Sequence, residues 1–400
     1  MTILSISTRA PRRLALGLAT ALLGSATLLA GCKKDDTQAA DTSPLLHIVS
    51  PVAGAVVAPG VGRTGAGSFD GAGFLVNLEI VTQDTVTIPT KEGLNIRNAA
   101  AVGSPNVNLP GLTVSLDVDL TNPAGVVIAK GTNLASLFNI AGTDDTPGPG
   151  VTTWVSWHVL ESLPAGTTSF NLTAAIKDRS GRTTTTTQKV SVGTGPGGAA
   201  SGQALTPAPL TTTLTPGADD PAGPTVTLLA PRAGSSISPG IQTAGVLPTP
   251  PSQGALFFVQ VSALDKSKNG IGVNENALGK ADADRGTIVD GTQSSKGPNR
   301  YAPGLVVTFD VPLLQPNGNV IAAGGNLAPV FNTAGSEVDP SGFVRTTFGW
   351  TVGGTLQLPA GKTSVTVKAA VVDNAGKTGS ATQVLQISPV ANGQLLTPAP

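Results

Sequence analysis

The chain is written twice. Ser50-Pro51-Val52-Ala53-Gly54, followed by Pro59-Gly60, returns as Ala230-Pro231-Arg232-Ala233-Gly234, followed by Pro239-Gly240. Gly111-Leu112-Thr113-Val114-Ser115-Leu116-Asp117-Val118 reappears as Gly304-Leu305-Val306-Val307-Thr308-Phe309-Asp310-Val311. Asn133-Leu134, Phe138-Asn139 and Ala141-Gly142 match Asn326-Leu327, Phe331-Asn332 and Ala334-Gly335. Leu163-Pro164-Ala165-Gly166 matches Leu358-Pro359-Ala360-Gly361, and Asp178 with Gly181 matches Asp373 with Gly376. Both units close on Leu-Thr-Pro-Ala-Pro, at 205–209 and 396–400. The order never changes, and the offset drifts only from 180 (Pro51 to Pro231) to 195 (Asp178 to Asp373). Order-preserving self-similarity of this length is a duplication, so whatever one unit folds into, the chain folds into twice.

Within each unit the hydrophobic period is two. Phe74, Val76, Leu78 and Ile80 alternate with Leu75, Asn77, Glu79 and Val81, and Val114, Leu116, Val118 and Leu120 with Thr113, Ser115, Asp117 and Asp119. Phe170, Leu172, Ala174 and Ile176 form another such face, matched by Val365, Val367, Ala369 and Val371. Alternation of this kind fits antiparallel strands with one buried side. Asn122-Pro123-Ala124-Gly125, Gln315-Pro316-Asn317-Gly318, Arg179-Ser180-Gly181 and Asn374-Ala375-Gly376 read as the turns between them. Charged residues are 12% of the chain, with 50 Gly and 32 Pro, which argues against helical bundles. The expected fold is all-β: two tandem antiparallel β-sandwich domains, at 46–205 and 225–400. The Thr/Pro/Ala/Gly-rich stretch 206–224 reads as a semi-extended spacer between them.

Ala174-Ala175-Ile176-Lys177-Asp178-Arg179-Ser180-Gly181-Arg182-Thr183 and its copy Ala369–Thr378 resemble the late hairpin of bacterial immunoglobulin-like and fibronectin-like repeats. The opening Pro-x-x-Gly segment before a strand fits such modules too. The resemblance covers the start and end of each unit, and it implies immunoglobulin-like sandwiches. Each unit exceeds the roughly 100 residues of such a domain, and the excess lies in 83–110 and 265–303, expected to be loops or insertions.

The first 31 residues read as a targeting segment. Arg9, Arg12 and Arg13 precede an apolar run from Leu14 to Ala30, which is too short and too diluted by Gly and Ser for a spanning helix. The run ends in Leu29-Ala30-Gly31-Cys32, which resembles the lipobox of bacterial lipoproteins. That resemblance implies cleavage before Cys32, acylation of Cys32 (a palmitate among its chains) and a membrane anchor. Lys33 follows where inner-membrane lipoproteins typically carry Asp, so the resemblance favours the outer membrane, with the periplasmic or external face left open. Cys32 is the only cysteine and has no disulfide partner. Residues 32–45 then form the lipidated start and a polar tether. Removing 1–31 takes away three Arg and no acid, leaving 24 − 3 = 21 basic against 24 acidic residues. That balance offers no footprint for nucleic acid.

Catalytic and cofactor chemistry is poorly supplied. His47 and His158 are the only histidines and neither has a counterpart in the second copy, so a Ser–His–acid arrangement is not expected. Neither Cys-x-x-Cys nor His-x-x-x-His spacing occurs, and no cofactor is expected. For a metal the only candidates are Asp282, Asp284 and Asp290, around Asp282-Ala283-Asp284-Arg285-Gly286, which has the alternating acids of half a calcium loop. Asp144 and Asp145 correspond loosely to Glu337 and Asp339, either as a second acidic site or as turn acids bonding local backbone. Trp157 and Trp350 share a strand side with valines and belong in the core. Trp154 points to the other side and, with Tyr301, is the candidate ligand contact. The reading is a non-catalytic envelope lipoprotein, displaying two modules for protein interaction, adhesion or envelope structure. The alternative is a carbohydrate-binding accessory lipoprotein, which needs Trp154 and Tyr301 in solvent; the partner is an envelope protein or a glycan.

Overall fold

The two-residue period is realised as strands. The computed structural model describes residues 43–57, 74–83, 95–96, 109–122, 124–145, 150–159, 161–178, 180–193, 205–207, 215–237, 257–273, 304–314, 320–328, 331–352, 362–387 and 397–398. The first repeat contributes β1 (Leu45–Ser50), β2 (Val56–Val57), β3 (Phe74–Gln83), β4 (Asn95–Ile96), β5 (Leu112–Leu116), β6 (Leu120–Thr121) and β7 (Val127–Ile128). It continues with β8 (Asn139–Asp145), β9 (Gly150–Val159), β10 (Ser169–Lys177), β11 (Thr183–Val192) and β12 (Leu205–Pro207). The second contributes β13 (Thr225–Ala230), β14 (Ser236–Ile237), β15 (Phe257–Asp265), β16 (Ile271–Val273), β17 (Leu305–Phe309), β18 (Leu313–Leu314) and β19 (Val320–Ile321). After these come β20 (Asn332–Val338), β21 (Val344–Val352), β22 (Ser364–Val372), β23 (Thr378–Ile387) and β24 (Thr397–Pro398). Helical structure among the described residues is limited to short 3-10 turns, Ala135–Leu137 and one at Ala328, and no helix is long and apolar enough to cross a membrane.

Each repeat encloses its own core. In the first, Val76, Leu78 and Ile80 of β3 meet Leu172, Ala174 and Ile176 of β10, with Trp157 against Phe138 at 5.6 Å between ring centroids. In the second, Val259 and Val261 face Val365, Val367 and Val371, and Trp350 meets Phe331 at 5.7 Å. Burying each such side chain contributes roughly 1.5–3 kcal/mol. The fold is all-β and built of antiparallel sandwiches, as the alternation requires.

The sheets, however, do not stop at the repeat boundary. One runs β1-β3-β9-β8-β14-β23-β22-β17 and the other β13-β15-β21-β20-β2-β11-β10-β5. Exchanging every strand for its counterpart turns one order into the other, so the two repeats are related by an approximate two-fold axis. The short strands β2 and β14 make the fusion. After Pro51 the chain leaves the β1–β3 sheet and runs parallel to β11, with Val56 opposite Ser191, while its other edge takes Val338 of β20. In the same way β14 runs parallel to β23 and meets Asp145 of β8 through Ser236. Residues 42–400 accordingly form one compact unit rather than two beads on a spacer.

The closing segments are exchanged as well. Leu205–Pro207 lies parallel to Ile271–Val273 of the other repeat, and Thr397–Pro398 parallel to Asn95–Ile96. Part of the second insertion, expected as loop from 265, is therefore strand. The stretch 206–224, expected as a spacer, is docked where it is described. Asp220 N–H donates to Thr378 O at 2.8 Å, and Ser380 Oγ donates to Asp219 at 3.0 Å. Short Asp and Gly residues let its backbone find partners that a solvated spacer lacks.

The repeated polar residues have local duties. Asn133 Oδ1 accepts from Val114 N–H at 3.1 Å and Ala135 N–H at 3.0 Å; Asn326 Oδ1 accepts from Val307 N–H at 3.2 Å and Ala328 N–H at 2.9 Å. Gly131 and Leu134 donate to Leu116 and Val114, and Gly324 and Leu327 to Phe309 and Val307. The outer edges of β5 and β17 are thus covered by their own chain, which blocks strand addition there. Asp117 and Asp310 end those strands, accepting from Asn171 N–H at 2.7 Å and Thr366 N–H at 2.8 Å. The continuous strand expected over 113–120 is therefore split at Asp117.

Candidate functional site

Cys32, Asp282, Asp284, Asp290 and Tyr301 lie outside the described residues. The remaining candidates converge on one place, the face where the repeats meet. The outward sides of β3 and β9 bear Leu75, Asn77, Glu79 and Trp154, all 3% exposed or less. They lie against Phe258, Gln260 and Ser262 of β15 and Glu337 of β20, also buried. Period two sends every second side chain outward, yet here outward means into the other repeat.

Trp154, expected in solvent, is 1% exposed and packs with Ala230, Phe258 and Val49. Its indole N–H donates to Asp144 Oδ2 at 2.6 Å. The correction has a simple cause: the second repeat covers the sheet surface that one repeat alone would leave wet. A buried indole cannot stack on a sugar, so the carbohydrate reading loses this contact.

The seam is polar and nearly symmetric. Asn77 and Gln260 occupy matching strand positions and bond to each other across the axis, Nδ2 to Oε1 at 2.7 Å; Ser156 Oγ donates to Asn77 Oδ1 at 2.9 Å. Glu79 is held by Arg232 of the other repeat and by His47 Nδ1 at 3.1 Å. Glu337 accepts from Ser50 Oγ and Val52 N–H, both at 3.0 Å and both from the first repeat. Arg345 lies 3.7 Å from Glu337 and 3.4 Å from Asp339, and its Nη1 donates to Ser262 at 3.1 Å. Burial pushes the Glu337 carboxyl up to about 7, against the lowering effects of the Val52 and Ser50 hydrogen bonds and of Arg345; Asp339 adds to the rise. Two buried atoms here, Glu79 Oε1 and Gln260 Nε2, have no hydrogen-bond partner. Interfaces between domains tend to be more polar than cores, and this one is.

The pairing of Asp144 and Asp145 with Glu337 and Asp339 resolves into different roles. Asp144 and Glu337 occupy equivalent seam positions, opposite Thr152 and Arg345 on their partner strands. Asp339 is a turn acid, accepting from Ser341 N–H at 2.9 Å and lying 3.4 Å from Phe343 N–H.

A second polar cluster ties the turn after β15 to the β22–β23 hairpin. Ser267 Oγ stands 2.8 Å from Asp265 Oδ1 and 2.7 Å from Asp373 Oδ2, and Asn269 Nδ2 donates to Asp373 at 3.0 Å. Gly270 N–H donates to Asp265 at 2.8 Å, and Ala375 and Lys377 N–H to Asp373 at 2.9 Å. Burial works to raise the Asp373 pKa, but the Asn269, Ser267, Lys377 and Ala375 hydrogen bonds outweigh it and hold the carboxyl below the ordinary range. The first copy solves the same turn differently: Asp178 pairs with Arg182 at 2.7 Å. Among the described residues, no three His, Cys, Asp or Glu side chains are grouped to hold a metal ion.

Sequence reasoning missed the seam because alternation reports two faces without saying what covers the polar one. Two signals were present. A Trp and Leu75 sat among outward polar residues, and Ala-Gly recurred at 141–142 and 334–335.

No family model matches the chain, and no curated protein matches it. Solved structures with some likeness include the C-terminal domain of the antigen I/II polypeptide BspA of Streptococcus agalactiae, at 12% identity, covering 86% of this chain and 99% of that one, TM-score 0.15. The C-terminal domain of the Streptococcus pyogenes antigen I/II-family protein AspA shares 10% identity over 86% and 99%, TM-score 0.16. A structure described as Rst D1-D2 shares 8% over 80% and 92%, TM-score 0.17. Likeness at this level carries no argument about function; the sandwich assignment rests on the strands and cores themselves.

Proposed function

We propose that this chain is a non-catalytic, lipid-anchored protein of the bacterial outer membrane, presenting a rigid two-repeat β body for protein interaction or adhesion. The observation that carries the anchor is Leu29-Ala30-Gly31-Cys32, placed directly after an apolar run and holding the sole cysteine. Acyl chains at about 0.8 kcal/mol per buried CH₂ make such an anchor stable once two or more are attached. The non-catalytic reading is supported by where the polar side chains go. The buried acids at the seam and at Asp265–Asp373 are engaged in holding strands and turns together, and His47 is bonded to Glu79. The partner is an envelope protein or a glycan, met on the outer surfaces of the body.

The test is expression of the full chain and a Cys32→Ser variant in a Gram-negative host. Wild type is expected in the outer-membrane fraction, with an acylated N-terminal Cys32 peptide by mass spectrometry, and the variant in the soluble fraction. Wild type recovered soluble, with an unmodified Cys32, overturns the anchor. Capture from envelope extract, compared with binding to a glycan panel, separates the two partner classes.

A further inference from the structure

The seam holds more acid than base where Glu337 sits. Arg345 is shared between Glu337 at 3.7 Å and Asp339 at 3.4 Å, so one cation serves two carboxylates. On the other side of the axis one acid, Glu79, meets both Arg232 and His47. Asp144 on β8 accepts the Trp154 indole N–H. Among the described residues, the first repeat meets Glu337 with neutral groups, the Ser50 hydroxyl and the Val52 N–H. These contacts join the repeats, because Ser50 and Val52 flank the point where the first repeat crosses over to pair with β20.

We propose that the seam is a proton-operated latch, in which gain or loss of one proton at Glu337 sets how tightly the two repeats dock. With the proton on, the local set of Glu337, Asp339 and Arg345 is neutral, and the buried carboxyl costs little. With the proton off, an unbalanced negative charge is enclosed between two sheets, and charge of that kind is relieved by hydration. The cheapest route to water is separation along a face that already contains unpartnered polar atoms, Glu79 Oε1 and Gln260 Nε2. The two apolar cores lie on the far sides of the sheets and stay closed. Rising pH therefore loosens the seam and leaves the sandwiches intact. The upward displacement of the Glu337 pKa from 4.5 to about 7 places the transition in the neutral range.

Amide hydrogen exchange on the full chain tests this, read as protection factors so that the intrinsic pH dependence of exchange is removed. Between about pH 5 and 8, seam amides such as Val52 and Val338 are expected to lose about 70-fold in protection, the part of the full effect of a shift from 4.5 to about 7 that falls within that window. Core amides of β10 and β22 are expected to hold constant. Glu337→Gln keeps the hydrogen-bonding shape without the charge and is expected to flatten the seam response. A wild-type seam without pH dependence overturns the latch, and so does a dependence that survives in Glu337→Gln, since the proton then belongs to another group. Should that variant fail to fold, carbon-13 titration of the wild-type Glu337 carboxyl decides: a midpoint near 7 supports the latch, and one near 4.5 refutes it.

Discussion

Replacing Gly335 by Ala puts the face-to-face closure of the repeats under direct strain. Gly335 stands at the bulge of β20, where the ladder with β21 slips between Thr333 and Gly335. A Cβ there falls 2.5 Å from Leu75 N, 2.7 Å from Phe74 C and 2.9 Å from Phe74 Cα, all of them main-chain atoms of the first repeat. Ordinary carbon contacts lie at about 3.5–4.0 Å, so β20 and β3 must part by about 1 Å. That displacement stretches the Asn77–Gln260 bond from 2.7 Å, and the Ser50 and Val52 bonds to Glu337 from 3.0 Å, beyond the normal range. A neutral bond is worth about 1 kcal/mol and one to a charged group about 1.5–3; partial relaxation brings the sum toward the 1–3 kcal/mol typical of overpacking. We expect about 3 kcal/mol, or a fall in Tm of roughly 4 °C, since about 2.1 cal/mol/K per residue over the roughly 360 residues of the 42–400 unit gives about 1.3 °C per kcal/mol. Circular dichroism melting measures it, with Gly125→Ala as the control. Gly125 has φ +80° and nothing within 4 Å, so its cost is the local backbone penalty of about 1–2 kcal/mol alone. A Gly335→Ala protein that melts within about 2 °C of wild type refutes the packing of β20 on β3.

Asn326→Ala removes the acceptor for Val307 and Ala328 N–H, and should destabilise by about 1–3 kcal/mol while exposing the β17 edge. Urea midpoints and light scattering read both effects, and an unchanged midpoint removes the edge-covering role. Asp373→Ala deletes four hydrogen-bond contacts and should cost roughly 3 kcal/mol at neutral pH, seen as a lower urea midpoint. Because the folded pKa of Asp373 lies below 3.8, its contribution is fully present above 3.8 and is lost as pH falls through the lower folded value. The gap between wild type and variant should therefore close in strong acid; a constant gap contradicts the assigned bonds.

Much of the secondary structure was legible because burial on one side leaves a two-residue imprint. The runs at Phe74–Val81, Phe170–Lys177 and Val365–Val371 are strands, and Trp157 sits in the core while Trp350 packs against it. Where the imprint misled, at Val114–Leu120, a single carboxylate intervened: Asp117 takes over a ladder bond and ends β5. Trp154 was placed on the correct side of its strand and in the wrong medium. The acids at 144 and 337 stood out as a retained pair, but their partners, Trp154 for one and Ser50 with Val52 for the other, are not adjacent in either copy's pattern.

Duplication, strand period and turn chemistry are properties of short stretches, so order along the chain alone determined two sibling sandwiches and the Asn and Asp residues that finish their edges. Which surface of each sandwich stays wet was decided only in three dimensions. The β2 and β14 strands join opposite sheets across the repeats, and that crossing closes Leu75, Asn77, Glu79 and Trp154 against Phe258, Gln260 and Glu337. Contacts between residues more than 100 positions apart depend on how two finished sheets meet, and a period of two carries no record of that meeting.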